Sequence, residues 1–293
     1  MQPISARLRR ISRRSAALAA ATAAGLALTA CGSSSTSSSA AAPAASDSGK
    51  ALNIAYLSFA VENSYDAPML AAAQAVASDN HATMKVFDAN NNPQTQYAQL
   101  QDVISSGQYN GIILQPIFGT GLTGLVKEAI SKGIKVVKAS ALDVAIYGAF
   151  GKAIAADPGV KIVAQGQSFF SPTTGLTAVQ DMLTANRGLN LIVGSDQGIE
   201  GGAQAVQAAH LTGKVILVGY GASAAALAGV ASGAWYADVA QAPASEGRLA
   251  VQALIAALRT GKSSGGIDPV AQLPDGGVVT KANVHLFTAE WPG

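Results

Sequence analysis

The chain has 293 residues, 19 lysines and arginines against 17 acids, and one cysteine. A single cysteine excludes an internal disulfide and any multi-cysteine metal site. The near-balanced charge, with no basic helix and no aromatic-basic patch, speaks against a nucleic-acid binder.

Charge is unevenly spread. Arg7, Arg9, Arg10, Arg13 and Arg14 crowd the first fourteen residues with no acid among them, and an Ala/Leu-rich run follows from Ala16 to Ala27. That run is shorter than the roughly 20 apolar residues a bilayer span needs, so residues 1–30 read as a secretory signal. Ser12-Arg13-Arg14 is a weak hint of twin-arginine export. The run ends in Leu28-Thr29-Ala30-Cys31-Gly32, which resembles the lipobox of bacterial lipoproteins. The resemblance implies lipidation at Cys31 and anchoring on the extracytoplasmic face of the cell membrane. Residues 31–49, nearly all Ser, Ala, Gly, Thr and Pro, bury too little to offset their ordering entropy and read as a tether. Without the five arginines the balance becomes 14 against 17, a net of −3. About 240 residues remain, enough for one large α/β domain or two smaller lobes.

From Leu52 the pattern alternates. Strands are expected at Leu52–Phe59, Thr83–Asp88, Gly111–Gln115 and Lys135–Lys138, with helices at Tyr65–Ser78, Pro93–Ser106 and Leu122–Lys132. The second half repeats the order. Helices are expected at Ala141–Ala156, Thr174–Asn186, Ile199–Ala209, Ala224–Ala231 and Ala244–Arg259. The strands between them are Val160–Ala164, Leu189–Gly194, Val215–Tyr220 and Trp235–Gln241. Strands alternating with helices imply parallel sheets covered on both faces. Ligands then sit beyond the carboxyl ends of the strands, which makes the strand-end residues the candidates.

The order of these pieces resembles the type I periplasmic binding protein superfamily, in its sugar-binding branch related to ribose-binding proteins. The pieces that carry the resemblance are Ile54-Ala55-Tyr56, Asn63-Ser64-Tyr65, Asp88-Ala89-Asn90 with Pro93-Gln94, and Gly111 to Pro116. To these are added Ala178 to Leu183, Leu189 to Asp196, Val218-Gly219-Tyr220, Val239-Ala240-Gln241 and Ser245-Glu246-Gly247. The resemblance implies two Rossmann-like lobes joined by a hinge, residues 50–138 plus 240–267 and 139–239 plus 268–293. They close as a monomer on a small polar solute, such as a sugar, for delivery to an ABC permease, with no cofactor and no catalysis. A signalling receptor that presents the same fold to a membrane sensor is the alternative.

The candidate ligand residues are Phe59, Asn63, Tyr65, Asp88, Asn90, Gln115, Phe118, Ser195, Asp196, Tyr220 and Gln241. The aromatics would stack on apolar faces of the solute or serve the core; Trp235 is core or hinge. Asp196 is either a ligand acceptor or a helix N-cap, and Gln241 a ligand or hinge residue. His81, His210 and His285 lie away from strand ends. Gly261-Lys262-Ser263 follows a helix and lacks the earlier glycine of a phosphate loop, so it reads as a helix C-terminus. Three departures from the resemblance stand out. Gly221 occupies a position where related receptors often carry Asp, and Ala141–Phe150 lacks the arginine of ribose-type receptors. After Lys138 roughly 40 to 50 residues, more than one βαβ unit, are missing, so one lobe, the second by preference, is expected to have fewer strands than the family norm, to be weakly stable and to bind solute weakly or not at all.

Overall fold

The computed structural model describes residues 51–118, 120–139, 150–263, 265–271 and 273–293. The expected signal, lipobox and tether, and the first part of the helix expected at Ala141–Ala156, lie outside the described residues; residues 150–155 are helical.

The first half builds β1 (Asn53–Ser58), α1 (Asp66–Asp79), β2 (Thr83–Asp88), α2 (Pro93–Ser106), β3 (Gly111–Leu114), α3 (Thr123–Ser131) and β4 (Lys135–Lys138). Its strands pair in the order β2-β1-β3-β4, all parallel. Helix α2 starts where its residues dictate. Asn92 accepts the Thr95 amide at 3.0 Å, Pro93 supplies the first turn, and left-handed Gly107 ends it.

Period-two alternation sends the apolar residues of β1 to both faces. Ile54 and Tyr56 join Ile113 under Ala73 of α1 and two residues from late in the chain, Val251 and Leu254. Ala55 and Leu57 join Ile112 and Leu114 against Leu100, Val103 and Ile104 of α2 and Leu125 of α3. This first sheet is therefore covered on both faces.

The second half builds α4 (Pro172–Ala185), β5 (Leu191–Ser195), α5 (Asp196–Ala208), β6 (Ile216–Gly221), α6 (Ala224–Ser232), β7 (Ala237–Ala240), α7 (Pro243–Thr260) and β8 (Val278–Thr280). Helix α7, the source of Val251 and Leu254, returns to the first sheet and packs against α1. At Gly247 a Cβ would come within 2.0 Å of the Met69 carbonyl oxygen, so only glycine permits that approach. The second sheet has the order β5-β6-β7-β8, with β8 antiparallel. Its core is Val179, Ile192, Ile199, Val206, Leu217, Val230, Trp235 and Val279. Trp235 is thus a core residue, with its indole against Gly229.

Two expectations are corrected here. Val160–Ala164 forms no strand; Ile162 and Val163 are half-exposed, because a β-prone sequence needs a ladder partner to become a strand. The strand expected from Trp235 begins at Ala237, and β8 escaped the sequence reading altogether. Each sheet holds four strands among the described residues. The asymmetry lies in the order. The first strand of sheet one is central, whereas β5 is an edge.

Candidate ligand cleft

The carboxyl ends of both sheets converge on one hollow. From the first lobe come Phe59 and Asn63, on the loop after β1, and Tyr65, just before α1. From the second come Ser195 at the end of β5, Tyr220 near the end of β6, and Gln241 just after β7. Phe170, Gln197 and Trp291 complete the lining. Two aromatic pairs cross the hollow. Phe59 meets Phe170 at 6.0 Å between ring centroids, and Tyr65 meets the edge of Trp291 at 5.3 Å and 79°. The Gln197 amide donates to Ser64 Oγ at 3.4 Å, again lobe to lobe. The space left is about 10 Å3, the room of one water molecule.

Six of the sequence candidates meet in this cleft: Phe59, Asn63, Tyr65, Ser195, Tyr220 and Gln241. Asp88 and Asn90 instead line a separate, polar hollow of about 360 Å3 beside Ala60–Asn63. There Asp88 Oδ1 accepts the amides of Asn90 and Val61 at 2.9 and 3.3 Å. Phe118 is exposed and lines neither hollow. Gln115 and Asp196 are interior groups, 2% and 1% exposed. Gln115 donates to Asp66, and its carbonyl oxygen accepts the Gln96 amide at 2.8 Å. The N-cap of α5 is Ser195, whose Oγ accepts from the Gly198 amide at 3.3 Å, so Asp196 is not the cap.

Asp196 has a different employment. Its Oδ2 accepts the Ser223 amide at 2.7 Å, and Asp238 Oδ1 accepts the Ala222 amide at 2.9 Å. The remaining oxygens, Asp196 Oδ1 and Asp238 Oδ2, have no other partner and converge over Gly219, where a Cβ would lie 2.7 and 2.2 Å from them. Two buried carboxyls this close share one proton. Burial raises both, and the Asp196 charge helps push Asp238 up to about 9. With one proton between them, the pair ties the β6–α6 turn to α5 and β7 through the Ser223 and Ala222 amides. An acid in the middle of the apolar strand Ala237–Ala240 was the sequence signal for it.

A second acidic group underlies the first lobe's side. The Tyr65 hydroxyl donates to Glu246 Oε1 at 2.9 Å. Desolvation pushes Glu246 and Asp66 each up to about 7, and the neighbours acting on them, Gln115, Tyr65, Asp88 and Glu290, are neutral or acidic. Among the described residues no three His, Cys, Asp or Glu side chains are grouped to hold a metal ion.

Trp291, Phe170 and Gln197 are the cleft residues the sequence did not reveal; Trp291 lies in the tail, far from any strand end. Its Nε1 donates to the Gly221 carbonyl at 2.7 Å. Gly221 has φ 150°, and a Cβ on it would strike Trp291 Cζ2 at 2.5 Å, so glycine and indole fit only each other.

A two-lobed α/β fold with its cleft at the strands' carboxyl ends is built to hold a small ligand. The chain belongs to the periplasmic binding protein domain family, whose model it matches over residues 54–139 and 138–263. The two matched stretches meet at Lys138–Ala139, where the sequence suggested missing residues. Its fold is that of type I sugar-type members. An ABC transporter solute-binding protein from Mycobacterium smegmatis with bound glycerol superposes with TM-score 0.70 at 21% identity, covering 83% of this chain and 100% of that one. The Caulobacter myo-inositol binding protein gives 0.69 at 20%, covering 81% and 96%. A solute-binding protein from Bacillus halodurans with bound myo-inositol gives 0.68 at 18%, covering 84% and 100%. No curated protein matches significantly. Among the described residues no helix is long and apolar enough to cross a membrane.

Proposed function

We propose that this chain is the capture component of an ABC uptake system, a lipid-anchored receptor that closes its two lobes on a sugar or similar small polar solute. The observation that carries the reading is a cleft lined from both lobes, with aromatic rings paired across it and the Asn63, Gln197 and Gln241 amides in its lining. Rings cover apolar faces of a solute while amides and hydroxyls bind its polar groups. The solved relatives with bound myo-inositol and glycerol support the solute class. Cys31 is the anchor, and a membrane permease receives the solute. The chain performs no catalysis in this role.

A thermal-shift screen of the soluble part against sugars, polyols, nucleosides and amino acids tests the reading. A true ligand at about 100 times its Kd adds about 2.7 kcal/mol by mass action, and a panel without any stabilising member overturns it. Cys31→Ser should release the protein from membranes or leave the signal uncleaved; unchanged fractionation refutes the anchor.

A further inference from the structure

We infer that Trp291 is the specificity-determining wall of the cleft, and that the cleft takes an uncharged solute with one C–H-rich face, such as a deoxy sugar. The inference rests on the receptor reading above and deepens it. None of the nine lining residues is an Asp, Glu, His, Lys or Arg. Of the acids nearby, Asp196, Asp238 and Glu246 are buried and accept from interior donors, while Asp88 and Glu62 line the adjoining hollow that shares Asn63, where Asp88 accepts the Val61 and Asn90 amides. An ionised solute would therefore lose its hydration with no opposite charge to meet it.

The wall's character follows from what its polar atoms already do. The Trp291 indole has one donor, and it is spent on the Gly221 carbonyl. The Tyr65 hydroxyl donates to Glu246. Both rings thus offer the cleft only carbon, joined by Phe59 and Phe170, while Asn63 and Gln241 bring the amides. Trp291 is also fixed. It is 4% exposed, its carbonyl accepts the Ala224 amide at 3.0 Å and Pro292's accepts that of Ala225 at 3.1 Å. Its neighbour Glu290 accepts both the amide and the hydroxyl of Ser245, at 2.8 and 2.5 Å. A ring held from both sides acts as a rigid wall and repels a hydroxyl aimed at it, since that group would lose its partners on burial.

The test uses matched sets in the gluco, galacto and manno series: each hexose, its 6-deoxy form and its uronate. The chain has two tryptophans, so Trp235→Phe leaves Trp291 as the sole indole reporter without disturbing the wall. Calorimetry and Trp291 emission are followed together. In at least one series the 6-deoxy form should bind and shift the emission, with the uronate about a hundredfold weaker or worse, about 2.7 kcal/mol. In Trp291→Leu the preference of 6-deoxy over parent hexose should fall about tenfold. A uronate that binds as well as its hexose overturns the inference, as does a solute that binds by calorimetry yet leaves Trp291 emission unchanged. If calorimetry detects no solute of any kind, the receptor reading itself falls, and this inference with it.

Discussion

The two sheets of this molecule hold the same number of strands and are built to different standards. In the first, β1 lies between β2 and β3, and its Ile54, Ala55, Tyr56 and Leu57 are at most 1% exposed. Helices close both faces. In the second, β5 pairs only with β6, and one face carries the whole core, Ile192 and Leu217 included. On the other face, Leu191 stands beside Ile216 and Val239 beside Val278 by register, 36%, 44%, 47% and 47% exposed. Val193 of the same alternation is 38% exposed. Among the described residues this face lacks the covering layer a parallel sheet ordinarily has. A strand's worth of stability thus depends on where it sits in the sheet, more than on its own sequence, since Leu191-Ile192-Val193 is as apolar as Tyr56-Leu57.

The largest expected contrast tests that directly. Leu57→Ala removes a fully buried side chain from a sheet packed on both sides and should cost about 2–5 kcal/mol. Val193→Ala should cost under about 1 kcal/mol, because its methyl groups already meet water. Urea unfolding of both variants decides it; comparable losses would mean the outer face of β5 is covered after all.

The lobes also differ in how they answer pH. Asp66 and Glu246 under the first lobe titrate near 7 when folded, from ordinary values of 3.8 and 4.5, and Asp238 under the second near 9. In each case the native state keeps a proton that the unfolded chain gives up near pH 4. Stability therefore falls as pH rises, by at most about 1.4 kcal/mol per unit for each group. The contribution is full below about pH 4, gone by about pH 7 for the first pair and by about pH 9 for Asp238. Asp238→Asn supplies a permanent donor to Asp196, so its stability should fall only to about pH 7 and then level off, whereas the parent continues downward to pH 9. Denaturant unfolding at pH 5, 7 and 9 gives the comparison; a parent as stable at pH 9 as at pH 5 contradicts it.

Much of this was legible in the sequence wherever local pattern and global fold agree. The bounds of β2, α2 and β4 follow from alternation, from Asn92-Pro93 and Gly107, and from Val136-Val137 set between two lysines. Val160–Ala164 has a strand's composition and still failed, because pairing is non-local. β8 is three residues after a Pro-Asp-Gly-Gly turn, too short for periodicity to register. The cleft divided similarly. Strand ends supplied four of its nine lining residues, Phe59, Ser195, Tyr220 and Gln241, and the family resemblance two more, Asn63 and Tyr65, whereas Trp291, Phe170 and Gln197 reach it from a tail, a loop and a first helical turn. Asp196 was recognised as costly in an apolar setting; what relieves the cost is a second acid 42 positions later, and no spacing rule links the two.

The smallest expected effect bears on the open edge itself. The outer backbone amides and carbonyls of β5 have no ladder partner among the described residues, and the residues flanking them are apolar. An edge of this kind invites a strand from another molecule, and natural proteins blunt such edges with lysine. Val193→Lys places an ammonium on the water-facing side, where the side chain loses little packing, so its unfolding free energy should stay within about 0.5 kcal/mol of the parent. Its benefit should appear elsewhere, as less binding of a hydrophobic dye and a higher concentration threshold for light scattering on warming. The two readouts separate the causes: a surface defect changes aggregation without changing stability, whereas a buried site changes both. A loss of more than about 2 kcal/mol in Val193→Lys, the cost of burying an unpaired charge, would show that something covers β5 and that the two lobes are more alike than their strand orders imply.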